Sequence, residues 1–315
     1  MSVTGKSLLI TGASGFIGAA TARAALDKGW HVIAALRNLK TSSRLKYLKN
    51  DHLTILEGYS LSNQKDVLRA ISEKRIQAII HTAASDVFKG GTNSHAADFQ
   101  DLSALNQILK TAQIDHPKCR IITFGSSLIY GQQGSPHTET SFPAPVSLYG
   151  VNKVFASDLA RYYRSISQLS ITEFRLFNIY GTGDLPPRLI PACIGNALSG
   201  ESILLTAGTQ KRDFVHINDV TRCILSAASG KLPANIYNVA TGIGTAISDV
   251  ARHIIELSGS NSDIKTGALP SRQNEYSVLT GSSELLKTFG LAPQITLMNG
   301  LQMTIDETRN SQVCS

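Results

Sequence analysis

The chain is poor in the residues that build disulfide frameworks and metal clusters: 315 residues contain four cysteines, three methionines and one tryptophan. Cys119, Cys193, Cys223 and Cys314 are scattered without a C-x-x-C pair, so reduced thiols are expected, with no structural zinc, no disulfide scaffold and no metal site. Long apolar runs are also missing. None approaches the ~20 residues that cross a bilayer, and the N-terminus lacks a basic segment followed by a long apolar one, so no secretory signal or membrane association is expected. A soluble, cytoplasmic protein is the reading. The basic residues are spread out rather than gathered in an aromatic-laced patch, so the net charge of +7 suits a small anionic ligand and not a nucleic acid. A hydrophobic content of 42% at this length is enough for one large α/β unit or two lobes.

What the chain does have is a glycine turn between a strand and a helix. Ser7 to Ile10 is a short apolar run, Ala19 to Leu26 is a strong helix former, and Gly12, Gly15 and Gly18 punctuate the segment between them. The spacing is G-x-x-G-x-x-G, not the G-x-G-x-x-G usual in dinucleotide folds. In this arrangement backbone N–H groups and a helix N-terminus face a pyrophosphate, and small residues let it approach. Gly12, Ser14, Gly15, Phe16, Ile17 and Gly18 are therefore the expected phosphate-binding turn.

The β-α-β rhythm continues through strands at 30–36, 53–58, 77–80 and 120–124 and helices at 65–74 and about 96–112, which is the order of a doubly wound parallel sheet. At the end of the second strand an NAD-specific fold places an Asp or Glu on the ribose 2′-hydroxyl. Here the residue is Arg37, which favours a 2′-phosphate, so NADP(H) is the preferred cofactor and NAD(H) the alternative. Thr82, Ala83 and Ala84 follow the fourth strand and are small enough for a flat ligand to approach the backbone. His81 before them reads as a packed histidine.

The chemistry lies further on. Tyr149 and Lys153 are four residues apart on a predicted helix over 149–166 and share one face. A free phenol titrates near pH ~10 and is a poor acid at neutrality, but a nearby ammonium favours its phenolate. Tyr149 can then pass a proton to a carbonyl oxygen as hydride arrives. Ser126, just past the fifth strand, is placed to hydrogen-bond the same oxygen, and its neighbours do not form the G-x-S-x-G elbow of a serine hydrolase.

Together these segments resemble the extended short-chain dehydrogenase/reductases, the superfamily of nucleotide-sugar epimerases, dehydratases and ketoreductases. The resemblance is carried by TGASGFIG at 11–18, HTAA at 81–84, GSSLIYG at 125–131 and YGVNK at 149–153, then by RLFNIYG at 175–181, RDFVHINDV at 212–220 and IYNVATG at 236–242. It implies a Rossmann-type domain over 1–178 with returning elements at about 213–240, including the apolar runs at 214–217 and 236–239. A smaller substrate-binding lobe would occupy most of 179–315. It makes Ser126, Tyr149 and Lys153 catalytic, with Tyr149 and Lys153 also on the cofactor. It implies that Ser126, Ser127, Asn178, Arg188, Leu189, Arg212, Arg272 and Glu275 hold a nucleotide sugar, and it implies a homodimer through the long helices, with Phe155, Leu159 and Tyr162 available for contact.

The chain departs from that pattern in three places. Tyr59 and Ser60 replace the Asp that relatives use near the adenine, so Ser60 and Leu61 take that contact. Asp101 stands where many relatives have Asn. In the segment Arg272-Gln273-Asn274-Glu275, Asn and Glu replace Gly and Asp. That last change, with LTAGTQKRDF at 205–214, is similar to 4-ketoreductases that finish nucleotide-activated 6-deoxyhexoses. The leading expectation is an NADPH-dependent reductase of a 4-keto nucleotide sugar. The alternatives are an NAD-retaining 4-epimerase of the UDP-glucose/UDP-galactose type or a dehydratase, and a non-catalytic NADP-binding sensor.

Overall fold

A computed structural model describes residues 6–84, 95–271 and 276–313. The expected contacts of Arg272 and Glu275, and the thiol of Cys314, lie outside the described residues. In chain order the elements are β1 Ser7–Thr11, α1 Phe16–Leu26, β2 His31–Leu36, β3 Leu53–Glu57, α2 Lys65–Glu73, β4 Ala78–His81, α3 His95–Asp115, β5 Arg120–Ser126, α4 Leu148–Ile166 and β6 Ser170–Leu176. There follow β7 Asn178–Tyr180, α5 Leu189–Ser199, β8 Ile203–Leu204, β9 Lys211–His216, α6 Ile217–Ala228, β10 Ile236–Val239, β11 Gly244–Ala246, α7 Ile247–Ser258, β12 Ile264–Lys265, β13 Val278–Leu279, α8 Glu284–Lys287 and α9 Leu297–Val313.

The chain divides into two compact units. One comprises residues up to Ile129 with Ser147–Arg175 and Thr221–Tyr237; the other comprises Tyr130–Val146, Leu176–Val220 and the chain from Asn238 on. The segment 130–146, which sequence reasoning left in the first domain, thus belongs with the second.

The first unit is built on a seven-stranded sheet in the order β10-β6-β5-β4-β1-β2-β3. The pairings of β1 with β2, β1 with β4, β2 with β3 and β4 with β5 are parallel. This is the Rossmann-type, doubly wound α/β fold expected from the sequence. β1 is buried along its whole length and β2 over all but its first residue, because helices cover both faces of a parallel sheet and leave no solvent side for polar residues. Strand order reverses at β1, between β2 and β4, and Thr11 stands level with His81. That reversal opens a crevice at the C-terminal strand ends, where such sheets bind ligands.

The second unit has its own sheet, in which β9 pairs with β7, β11 and β13. Its core gathers Ile190, Ile194, Val250, Ile254, Leu301 and Ile305 from α5, α7 and α9. The expectation that the run 214–217 returns to the main sheet is corrected here. Phe214 lies in β9, in register with Asn178 of β7, and Ile217 opens α6. The edge beside β6 is taken instead by β10, the run at 236–239.

Candidate active site

The glycine turn leaves the end of β1. Gly12 has φ of +68° and lies so close to the chain after β4 that a Cβ there would stand 2.7 Å from Ala83 Cα and N. A Cβ on Gly18 would fall 2.5 Å from the Gly12 carbonyl oxygen. Gly15 is the N-cap of α1, so no side chain of the cap residue competes for the first-turn N–H groups, which suit an anion. Thr82 ties the turn to the sheet, its Oγ1 2.7 Å from the Thr11 carbonyl and 3.2 Å from that of Gly12. Ala83 and Ala84 continue from there with small side chains. A dinucleotide pyrophosphate fits this cradle, which has an open helix N-terminus and no Cβ at its narrowest points.

β2 ends at Leu36, and Arg37 follows it with an exposed side chain. Its backbone is fixed, since its carbonyl accepts from Gly58 N at 3.1 Å. The loop beyond is anchored twice. Glu57 accepts from Leu39 N at 2.8 Å, and Arg44 donates to the carbonyl of Ser14 at 3.2 Å, which places a second cation at the glycine turn. Tyr59 turns into the core, where burial pushes its hydroxyl up to about 12. Ser60 Oγ accepts from Asn63 N at 3.0 Å and so is engaged in its own turn; Leu61 next to it is half-buried.

Ser126 closes β5 and Tyr149 lies in the first turn of α4, whose N-terminus is capped by Ser147 Oγ accepting from Gly150 N at 3.1 Å. Lys153 is one turn further along. Its Nζ donates to the Phe124 carbonyl of β5 at 3.2 Å and stands 5.5 Å from the centre of the Tyr149 ring. The ammonium is thus held between a strand carbonyl and an aromatic face. Ser126 Oγ accepts from Leu128 N at 3.2 Å, which fixes the oxygen and directs its proton elsewhere; Ser127 beside it is buried. Helix α4 thus holds the Lys153 ammonium against the Tyr149 ring and the Phe124 carbonyl, and Ser126 lies two residues further along the same strand β5.

His81 is buried at the end of β4, and its Nδ1 is 2.8 Å from Thr11 Oγ1. Burial first, and the Lys153 ammonium second, push its titration down from 6.5 to about 3. The folded value lies below the unfolded one, so the neutral ring contributes stability above about pH 6.5 that is lost as pH falls toward the folded value. Between about pH 6.5 and about pH 4.5 this one group is expected to cost about 2–3 kcal/mol. Urea denaturation at the two pH values checks it: His81→Asn, which keeps a polar partner for Thr11, should lose less stability than wild type by that amount. Equal losses would remove His81 as the cause.

Of the described residues expected to hold substrate, all but Ser126 and Ser127 lie in the second unit. Asn178 opens β7 and is half-buried. Arg188 is the N-cap of α5 and donates to Asp184 Oδ1 at 3.3 Å and to the Ile179 carbonyl at 3.0 Å. Leu189, the first residue of α5, packs against the second core. Arg212 is buried in β9, with Nη1 2.7 Å from the Tyr276 carbonyl and 2.9 Å from that of Lys211. Next to it, the buried Asp213 carboxylate binds the backbone N–H groups of Thr241, Gly242 and Gly281. Sequence reasoning overlooked Asn152 of α4 and Glu173 of β6, both of which line a pocket with Lys153.

The chain is similar to several known proteins. UDP-glucose 4-epimerase 4 of Oryza sativa subsp. japonica is 26% identical over 311 residues, covering 89% of this chain and 84% of its own. CDP-abequose synthase of Salmonella typhimurium is 24% identical over 304 residues, covering 94% of this chain and 96% of its own. The crystal structure of a UDP-glucose 4-epimerase with UDP-glucose from Thermotoga maritima has the same fold, with a TM-score of 0.88 at 22% identity over 97% of this chain and 99% of that one. The sequence pattern of the NAD dependent epimerase/dehydratase family matches residues 8–240, most of the chain and nearly all of the first sheet, and the protein belongs to that family.

Proposed function

We propose that the protein is an NADPH-dependent reductase of a 4-keto nucleotide-activated 6-deoxyhexose. NADPH, bound along the glycine turn, supplies a hydride to the keto carbon. Tyr149 gives its phenolic proton to the keto oxygen, Ser126 hydrogen-bonds that oxygen, and the Lys153 ammonium stabilises the phenolate left behind. Asn178, Arg188, Leu189, Arg212, Arg272 and Glu275 hold the nucleotide sugar, with Ser127 beside Ser126. The CDP-abequose synthase relative supports a deoxysugar nucleotide as the substrate class.

The observation that carries reduction over epimerisation is Arg37. An exposed guanidinium ends β2, with Arg44 held at the glycine turn, and this pair suits a 2′-phosphate and hence a replaceable reduced cofactor. NADPH oxidation with dTDP-, CDP-, GDP- and UDP-linked 4-keto-6-deoxyhexoses is the deciding assay, and turnover of at least one is expected. Arg37→Asp should weaken NADPH binding about 10- to 100-fold and shift preference to NADH. No turnover with any of these, together with interconversion of UDP-hexoses, would instead establish the NAD-retaining 4-epimerase favoured by the Oryza relative. A homodimer through α4 is part of the same proposal, since Phe155, Tyr162 and Ile166 are at least half exposed along it.

A further inference from the structure

Glu173 has no part in the proposed chemistry, and its place in the fold does not call for a charge. It lies in β6, which is buried over all but its first residue, and is itself 2% exposed. Taking a carboxylate out of water is costly even when it is paired, and apolar side chains of similar volume commonly serve stability as well or better. What a carboxylate offers that an apolar side chain lacks is direction, since each oxygen accepts from a donor at a defined place.

Its two oxygens engage different elements. Oε1 accepts from Arg175 Nε at 3.1 Å, along the same strand, and Oε2 accepts from Ser157 Oγ of α4 at 2.6 Å. The second bond crosses from sheet to helix. Room for the carboxylate comes from Gly125 of β5, where a Cβ would stand 2.7 Å from Oε1. Arg164, seven residues beyond Ser157 on α4, also feels this charge. Ser157 is one turn beyond Lys153, as Tyr149 is one turn before it, so the three share one side of the helix. α4 is thus fastened to the sheet at consecutive turns, by Lys153 Nζ on the Phe124 carbonyl of β5 at 3.2 Å and by Ser157 on Glu173 of β6. One fastening would let the helix pivot about it, whereas two fix both its rotation and its position along its axis.

We propose that Glu173 is a positioning residue for the helix that carries Tyr149 and Lys153. Its bond to Ser157 sets where these two side chains stand relative to Ser126, which lies two residues beyond Phe124 on β5. The inference rests on the reading of Ser126, Tyr149 and Lys153 as the catalytic groups. Glu173 makes and breaks no bond in the reaction and acts only through Ser157. A misplacement of about 1 Å between reacting groups costs up to about a hundredfold in rate, so a small rotation of α4 is enough to be read in kcat.

Glu173→Gln would also take a countercharge from the buried Arg175 and risk the fold, so the test is placed on Ser157. Ser157→Val and Ser157→Thr separate the bond from the packing, since the two side chains are nearly the same shape and only Thr keeps the hydroxyl. Ser157→Val is expected to lower kcat about tenfold or more, with the KM of the sugar nucleotide and the Kd of NADPH within about threefold of wild type, while Ser157→Thr stays within about threefold in all three. A readout without substrate comes from incorporated 3-fluorotyrosine. The fluorine resonance of Tyr149, assigned by its absence from Tyr149→Phe, should be displaced in Ser157→Val with NADPH bound and keep its wild-type position in Ser157→Thr. Should neither β-branched residue be accommodated, Ser157→Ala takes the place of Ser157→Val and is read against wild type. Val and Thr variants that behave alike in rate and resonance would overturn the proposal, as would a loss confined to KM or to stability. A displaced Tyr149 resonance in Ser157→Val, with no turnover of any 4-keto sugar by the wild type, would uphold the role of Glu173 and reject the reductase reading.

Discussion

Tyr149→Phe is expected to lower kcat about a thousandfold while the dissociation constant of the cofactor stays within about threefold of wild type. The substitution removes a single hydroxyl. Phe keeps the aromatic face over which Lys153 Nζ stands at 5.5 Å, and neither the Ser147 cap nor the Lys153 bond to the Phe124 carbonyl depends on the phenolic oxygen. What disappears, under the proposed reaction, is the proton that neutralises the substrate oxygen as hydride reaches the neighbouring carbon. In that proposal Ser126 would still donate to the oxygen, but a hydrogen bond only stabilises negative charge, whereas proton transfer removes it. The hydroxyl acts mainly in the transition state, so kcat and kcat/KM should fall together. Steady-state kinetics with a parallel cofactor titration measure both. Turnover within tenfold of wild type would take Tyr149 out of the chemistry.

The parts of the molecule that were readable from sequence are those determined by neighbours along the chain. β1 and β2 declare themselves because a parallel strand buried on both faces needs an unbroken apolar run, and the helical spacing of Tyr149 and Lys153 places them together whatever surrounds them. The destination of β9 was not readable, because the short apolar run at 214–217 presents the same pattern to any sheet and the choice of β7, β11 and β13 is made by residues remote in sequence. Glu173 was also passed over, although a signal was present. Glu173 and Arg175 are two apart on a strand and so share a face, and opposite charges on one face of a strand this apolar point to a buried pair. Their bond at 3.1 Å is that pair. The face they occupy is the one beneath Gly125, where a Cβ would stand 2.7 Å from Glu173 Oε1. Phe155 and Tyr162 were ambiguous for a simpler reason: on a helix next to a sheet, periodicity alone does not say which apolar stripe faces inward.

The glycine turn has two different jobs, and two substitutions separate them. Gly12→Ala is expected to cost about 2–5 kcal/mol of stability, because a left-handed residue with a Cβ costs about 1–2 kcal/mol and forcing it into packed backbone costs about 1–3 more. Its φ is +68°, and the atoms it would meet, Ala83 Cα and N at 2.7 Å, are main chain that cannot swing aside. Gly15→Ala is the counterpart. Gly15 has φ −72° and ψ 171°, which alanine adopts freely, and its Cβ would meet only the Gly12 carbonyl, at 3.1 Å. Stability should therefore change by less than about 1 kcal/mol. The new methyl would stand at the N-terminus of α1, where the pyrophosphate approaches, so cofactor affinity should fall about tenfold or more. Thermal unfolding of both variants, with and without cofactor, distinguishes the two jobs: Gly12→Ala should melt early in either condition, whereas Gly15→Ala should melt like wild type alone and gain less from added cofactor. If Gly15→Ala instead gained as much from cofactor as wild type does, the second glycine of this turn would serve only to pack the helix, and the phosphates would have to lie elsewhere.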